Sequence, residues 1–257
     1  MPRLFALACP WIDERVARDP ASEVRLLKLL VSPGETVCDI GANRGLFTYW
    51  LLKGGARVLA FEPNPRLARI LRLRFPAELA DGRLRLFETA LGSTRGEAVL
   101  HIPQGMSPLA TIDGNLANGL SGTVDDVPVA LNPLDACVDV PVSFIKLDVE
   151  GYESAVLQGA TRVLAESRPT LLVEAEERHR AGAVADVARM LAPLGYEGFF
   201  RLGGAMRPLS AFDPVIHQNR EALVPDGSRT RRDAVYVNNF VFAARPEIIA
   251  RLKDRTD

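Results

Sequence analysis

Three groups of side chains in this sequence have types and spacings that chemistry could use. The first is the run Val37-Cys38-Asp39-Ile40-Gly41-Ala42-Asn43-Arg44-Gly45, in which an apolar strand carrying an acid enters a Gly-x-Asn-x-Gly turn. Glycines let the backbone turn tightly and approach a ligand with no Cβ in the way. The following Leu46-Phe47-Thr48-Tyr49-Trp50-Leu51-Leu52 has the pattern of a helix whose N-terminal amides face that ligand. The second is Glu62, at the end of the apolar run Arg57-Val58-Leu59-Ala60-Phe61 and 21 positions after Gly41. In a doubly wound sheet, a carboxylate at the tip of the second strand accepts hydrogen bonds from both ribose hydroxyls of an adenosine lying across the first turn. A cap on the helix that follows Asn64-Pro65 is the plainer role for Glu62, and the order strand, turn, helix, strand, acid favours the ribose.

The third group is Asp148, Glu150 and Glu153, which follow the apolar run Val142-Ser143-Phe144-Ile145-Lys146-Leu147. A strand buried on both faces leaves Lys146 in need of a partner, and Asp148 lies two residues on and faces the same side. Carboxylates at the carboxyl end of such a strand stand beside the switch point where open α/β sheets bind ligands, and can take the proton of a reacting hydroxyl. Glu153 divides evenly between that duty and a place in the first turn of a helix, where a carboxylate suits the dipole. Glu174 ends a further strand on the same rim. His179 is the alternative base, and a magnesium ion bridging Asp148, Glu150 or Glu174 to an acceptor is a further option.

A dinucleotide fingerprint requires Gly-x-Gly-x-x-Gly, and Asn43 and Leu46 stand where its second and third glycines belong, which argues against NAD. The Asp39-x-Gly41-x-Asn43-x-Gly45 run resembles instead that of class I S-adenosylmethionine-dependent methyltransferases. With Lys146-x-Asp148-x-Glu150-Gly151-x-Glu153, Leu157-x-Gly159-Ala160 and Thr170-Leu171-Leu172-Val173-Glu174, the chain resembles the FkbM family of methyltransferases over residues 37 to 176. The resemblance implies S-adenosylmethionine as cofactor, held by Asp39, Gly41, Asn43, Gly45, Glu62, Pro63 and Asn64, with Thr89 and Ala90 at the adenine. It also implies O-methylation of a small hydroxylated acceptor, such as a sugar moiety or a secondary metabolite, with Asp148, Glu150 and Glu153 as the catalytic candidates and no resident metal. N- or carboxyl-methylation on the same scaffold, a non-catalytic cofactor-binding subunit and an NAD-dependent oxidoreductase are the competing readings. The sequence departs from the family pattern at Leu131-Asn132, where the family has Leu-Asp, and this bears on acceptor choice.

The elements that must position these groups alternate strand and helix, which predicts an α/β, doubly wound (Rossmann-like) sheet of seven mostly parallel strands with an antiparallel C-terminal strand over Val235 to Ala243. One domain over residues 1–257 is expected from the length. Its accessory parts are an N-terminal helical extension or lid over 1–33, including a helix from Ser22 to Val31, and acceptor-binding loops over 103–126 and 203–233. The arginines of the amphipathic helix Leu67 to Phe75 read as a solvated face. A net charge of −1 gives no electrostatic reason for nucleic-acid or membrane partners. The short apolar N-terminus lacks a signal-peptide pattern, so a cytoplasmic enzyme is expected, with its oligomeric state open between monomer and homo-oligomer. Cys9, Cys38 and Cys137 lack metal spacing and are expected to be buried thiols.

Overall fold

The computed structural model describes residues 2–103, 110–117, 123–224 and 230–255. Its strands are β1 (Thr36–Ile40), β2 (Arg57–Phe61), β3 (Leu84–Phe87), β4 (Ala90–Leu91), β5 (Gly96–Pro103), β6 (Val124–Asn132), β7 (Phe144–Leu147), β8 (Thr170–Glu174), β9 (Glu197–Leu202), β10 (Ala205–Pro208) and β11 (Asn239–Ala243). Eight of them form one sheet in the order β10-β9-β11-β8-β7-β1-β2-β3. β3, β2, β1, β7 and β8 run parallel, and β11 enters antiparallel between β8 and β9. The antiparallel C-terminal strand is therefore present, but the sheet has eight strands where seven were expected. The extra strand is β10, paired with β9 across the two-residue turn Gly203-Gly204, where both φ angles are positive (60° and 89°), the geometry that suits a tight hairpin.

Buried side chains alternate across the sheet. Cys38, Ile40, Leu59, Phe61, Ile145, Leu147, Leu171 and Val173 pack on one face. Val37, Val58, Ala60, Phe144 and Leu172 pack on the other, against the helix Leu46–Lys53 and the segment before β1. Burying about 25 cal/mol for each Å² of this apolar surface is the main force holding the layers together. In the segment before β1, a 3₁₀ turn, Glu23–Leu26, and a single α-turn, Leu27–Leu30, replace the continuous helix expected from Ser22 to Val31. The tighter turn aligns Val24, Leu27 and Leu30, three apart and all buried, on one ridge.

β4, β5 and β6 build a second, smaller sheet in the order β4-β6-β5. Both ends of the predicted 103–126 loop are thus strand, since β5 and β6 pair antiparallel from Gly96↔Leu131 to Pro103↔Val124. Within it, Thr111 forms a bridge back to His101, while residues 104–109 and 118–122 lie outside the described residues. The small sheet docks at Gly159, where an added Cβ would lie 2.0 Å from the Gly92 carbonyl oxygen and 3.1 Å from Pro133 Cα. Because the Gly159 φ of −85° suits any residue, this contact is purely steric. Gly159→Ala is expected to cost about 1–3 kcal/mol, the usual penalty for overpacking, read as a lower urea midpoint at unchanged slope. An unchanged midpoint would show that the two sheets do not rest on this contact.

Candidate functional site

The order of strands reverses between β1 and β7, whose last residues, Ile40 and Leu147, are register partners. Such a switch point opens a crevice at the carboxyl ends of the strands. A cleft lies there, lined by Gly41, Asn43, Glu62, Pro63, Thr89, Ala90, Asp148 and Glu150 among the residues expected from the sequence. Ile40, Phe61, Leu67, Leu91, Leu100, Ala110, Ile112 and Val149 complete it. Sequence reasoning missed this apolar lining because Leu100, Ala110 and Ile112 come from the inserted sheet, whose docking no local pattern reports. Asp39, Gly45, Asn64 and Glu153 do not line the cleft.

At one end, Gly41 has φ 76°, and the Phe61 carbonyl accepts from the Gly41 and Ala42 amides, both at 3.0 Å. The buried carboxylate of Glu62 accepts the Asn43 amide at 2.6 Å on one oxygen and the Asn64 amide at 2.8 Å on the other. Each oxygen keeps capacity for a further bond, so the group can still receive two ribose hydroxyls. Burial raises its pKa to about 7, against the pull of the Asn64 and Asn43 amides. The helix cap that competed for Glu62 falls to Asn64, whose side chain accepts from the Arg66 amide at 3.0 Å. The hydroxyl of Thr89 is engaged by the second sheet. It donates to the Ala130 carbonyl at 2.9 Å and accepts from the Asn132 side-chain amide at 3.0 Å. Asn132, the departure from the family pattern, therefore fixes the Thr89 wall and lines no part of the cleft.

Asp39 turns to the opposite face of β1, where it is buried, accepts from the Thr48 hydroxyl at 2.5 Å and lies in register with Lys146. Burial raises its pKa to about 6, while Thr48 and Lys146 oppose the rise. Lys146 is 1% exposed, with its ammonium 3.6 Å from Asp148, 3.9 Å from Glu174 and 5.1 Å from the Phe47 ring. Burial opposes its charge, but the carboxylates of Asp148, Glu174 and Asp39 outweigh it and keep the group protonated. Glu174 also accepts from the Asn238 side-chain amide at 2.7 Å. Among the described residues no cluster is disposed to hold a metal ion, and the Lys146 ammonium supplies the positive charge between Asp148 and Glu174.

Glu150 occupies a left-handed conformation at φ 50°, next to Gly151 at φ 93°. Its carbonyl accepts from the Thr111 hydroxyl at 3.0 Å, and its carboxylate lies 3.5 Å from His179 Nε2. Burial, then the charges of Asp148, Glu174 and Glu176, raise the Glu150 pKa well above the usual carboxylate range; burial lowers that of His179. Glu153, a catalytic candidate from the sequence, stands outside the cleft lining, and its buried carboxylate turns back to accept the Gly151 amide at 2.9 Å and so braces the strained loop. Beside it, Glu176 is buried and bonds Arg178 and the Tyr236 hydroxyl, an arrangement with no local sequence signal. Among the described residues of 203–233 none lines the cleft, and the first part of the segment is β10 at the far edge of the sheet. Gln218 clamps the Ala175 and Val237 carbonyls at 2.7 Å each, and residues 225–229 lie outside the described residues.

The model of the methyltransferase FkbM domain matches residues 39–199. The chain belongs to the FkbM methyltransferase family. A crystal structure of a methyltransferase FkbM from Methylobacillus flagellatus superposes with a TM-score of 0.53 at 19% identity, covering 82% of this chain and 44% of that one. Two curated relatives are a probable ribosomal RNA small subunit methyltransferase A of Methanospirillum hungatei and the hexuronic acid methyltransferase AglP of Haloferax volcanii. The first is 30% identical over 56% of this chain and 45% of the relative, the second 29% identical over 57% and 60%. The chain thus spans about half the length of the curated relatives it matches. No helix among the described residues is long and apolar enough to cross a membrane.

The raised carboxyls of this FkbM chain set the sign of its pH dependence. Glu153, pushed up to about 7 by burial, holds its proton in the native state at pH values where the unfolded chain has released it. The stability this contributes is complete below about pH 4.5 and is lost as the pH rises through 7. Glu153→Gln keeps an oxygen for the Gly151 amide and carries no charge. It is expected to match the wild type in thermal melts at pH 5 and to exceed it by about 1–3 kcal/mol at pH 8. A loss of stability at both pH values would show that the carboxylate itself is required.

Proposed function

We propose that this chain transfers the methyl group of S-adenosylmethionine to a hydroxyl of a small neutral acceptor, a sugar moiety or secondary metabolite. The observation that carries the reading is that one cleft joins Glu62 and the glycine turn at one end to Asp148 and Glu150 at the other. The adenosine ribose bonds Glu62, the adenine lies by Thr89 and Ala90, and the stacked rings of Phe61 and Phe87 (4.7 Å, 11°) stiffen the wall behind Phe61. When bound, the sulfonium supplies an electrophilic methyl carbon. The acceptor oxygen forms a bond to that carbon as its bond to sulfur breaks, and the sulfur keeps the electron pair. Glu150, a base strengthened by burial, takes the hydroxyl proton, with His179 beside it as a relay; Asp148 orients the hydroxyl. Alignment in the cleft contributes the rest of the rate.

The acceptor's charge follows from the rim. The carboxyl groups of Asp148 and Glu150, which line the cleft, oppose a phosphodiester backbone or a free carboxylate. This favours a neutral hydroxyl over the ribosomal RNA or hexuronic acid named for the relatives, although a sugar-directed relative supports the class of acceptor. Four results check the reading. S-adenosylhomocysteine binding is expected to weaken about 10- to 100-fold in Glu62→Ala, since bonds to a charged group contribute about 1.5–3 kcal/mol each. In the wild type it is also expected to weaken as the pH falls below 7 and Glu62 takes up a proton. In a screen with labelled S-adenosylmethionine, methyl transfer to neutral glycosides should exceed transfer to uronates and RNA. With such an acceptor, Glu150→Gln should lower turnover about 10²- to 10⁴-fold without weakening cofactor binding. Preferential labelling of RNA would sink the assignment of a small acceptor.

A further inference from the structure

The segment 1–33, expected as a helical extension or lid, opens with the helix Pro2–Arg18, and no described residue before Ile40 lines the cleft. Its connection to the site runs behind the glycine turn. Asp13, 0% exposed, accepts from Arg44 Nη1 at 2.5 Å and from Arg74 Nη2. Arg74 is 1% exposed and also donates to the Arg44 carbonyl, so it is no part of the solvated face expected for its helix, Pro65–Arg74. Arg44 is itself a residue of the turn. Its amide donates to the Asn43 side-chain oxygen at 2.7 Å, and the Asn43 amide donates to Glu62 at 2.6 Å. A continuous chain of hydrogen bonds therefore runs from the buried carboxylate of the N-terminal helix, through Arg44 and Asn43, to the carboxylate in the cleft.

The turn requires such a brace. Gly41, Asn43 and Gly45 all have positive φ (76°, 53° and 87°), and Asn43 pays for a conformation that L side chains rarely adopt. Residues held in this way persist where their surroundings over-determine them. Two guanidiniums supply that rigidity: each donates to its own oxygen of the buried Asp13 carboxylate, and Arg74 spans Asp13 and the Arg44 carbonyl with its two terminal nitrogens.

We propose that Asp13 and Arg74 are positioning residues of the cofactor site, which hold the turn of residues 41–45 in its ligand-ready form by acting through Arg44. The N-terminal helix is then a clamp on the back of the turn and touches no ligand. This rests on the reading that the cofactor lies against the turn. The test is calorimetric titration of the full chain with S-adenosylhomocysteine beside thermal melts, for the wild type, Asp13→Asn, Arg44→Met and Cys9→Ala. Cys9 is fully buried on the same helix, outside the ion-paired group, and reports general loosening of the helix. Asp13→Asn is expected to weaken binding tenfold or more, while Cys9→Ala lowers the melting temperature and binds as the wild type. Combined with Glu62→Gln, Asp13→Asn should add less than its separate effect, because both act on one hydrogen-bonded chain.

Asp13→Asn binding within twofold of the wild type would overturn the proposal, as would a loss in Cys9→Ala that tracks its melting temperature. If Asp13→Asn does not fold, Arg44→Met decides, since its side chain is partly exposed: tenfold weaker binding supports the clamp and binding within twofold overturns it. A wild type that does not bind S-adenosylhomocysteine overturns the cofactor reading itself, and this inference with it.

Discussion

The carbonyl oxygen of Asp148 occupies the position that a side chain at residue 41 would need, since a Cβ there would lie 1.8 Å from it. Two backbones meet at that point, because β1 and β7 are paired neighbours and the Asp148 amide donates to the Ile40 carbonyl at 3.0 Å. The turn that follows β1 and the acidic loop that follows β7 therefore leave the sheet from one place. Only glycine lets them approach so closely, and its positive φ turns the chain away from the strand axis toward Glu62. The spacing between the glycine-turn end and the acidic end of the cleft is a consequence of strand pairing, set before any side chain is chosen.

Around that point the molecule buries charge in an ordered way. Asp39, Lys146 and Leu172 are register neighbours on the face covered by the helix Leu46–Lys53, so the ammonium is enclosed by acids from three strands. A lone buried charge would cost several kcal/mol, and each of these carboxylates reduces that cost for Lys146. On the cleft side the same burial acts on carboxylates with no close cation, and Glu62 and Glu150 become stronger bases than exposed acids. Burial thus raises carboxyl pKa values on both sides of the sheet and opposes the charge of Lys146, which the surrounding acids sustain.

Which residues were legible in the sequence follows from how far away their partners lie. The place of Glu62 at the cleft was legible because it depends on one strand, one turn and a fixed separation. Glu153 was not, because the choice between capping and catalysis is made by the direction of a side chain braced on the Gly151 amide. Asp39 was read as a cofactor ligand from its place in the turn pattern. Strand alternation sends it to the opposite face, and only the packing of Thr48 shows where it goes. Arg74 matched the periodicity of a solvated helix face, and its burial depends on an aspartate 61 positions earlier.

The order of elements, the glycine turn, the acid at the tip of β2 and the acidic loop after β7 are properties of short contiguous segments, and the amino-acid sequence alone determined them. The eighth strand, the small sheet that walls the cleft, the brace on the strained loop and the anchoring of the N-terminal helix were decided by tertiary structure. Each depends on contacts between segments tens of residues apart. Local propensity and periodicity carry no information about such contacts, since the energy that selects them comes from burial and charge pairing in the assembled core.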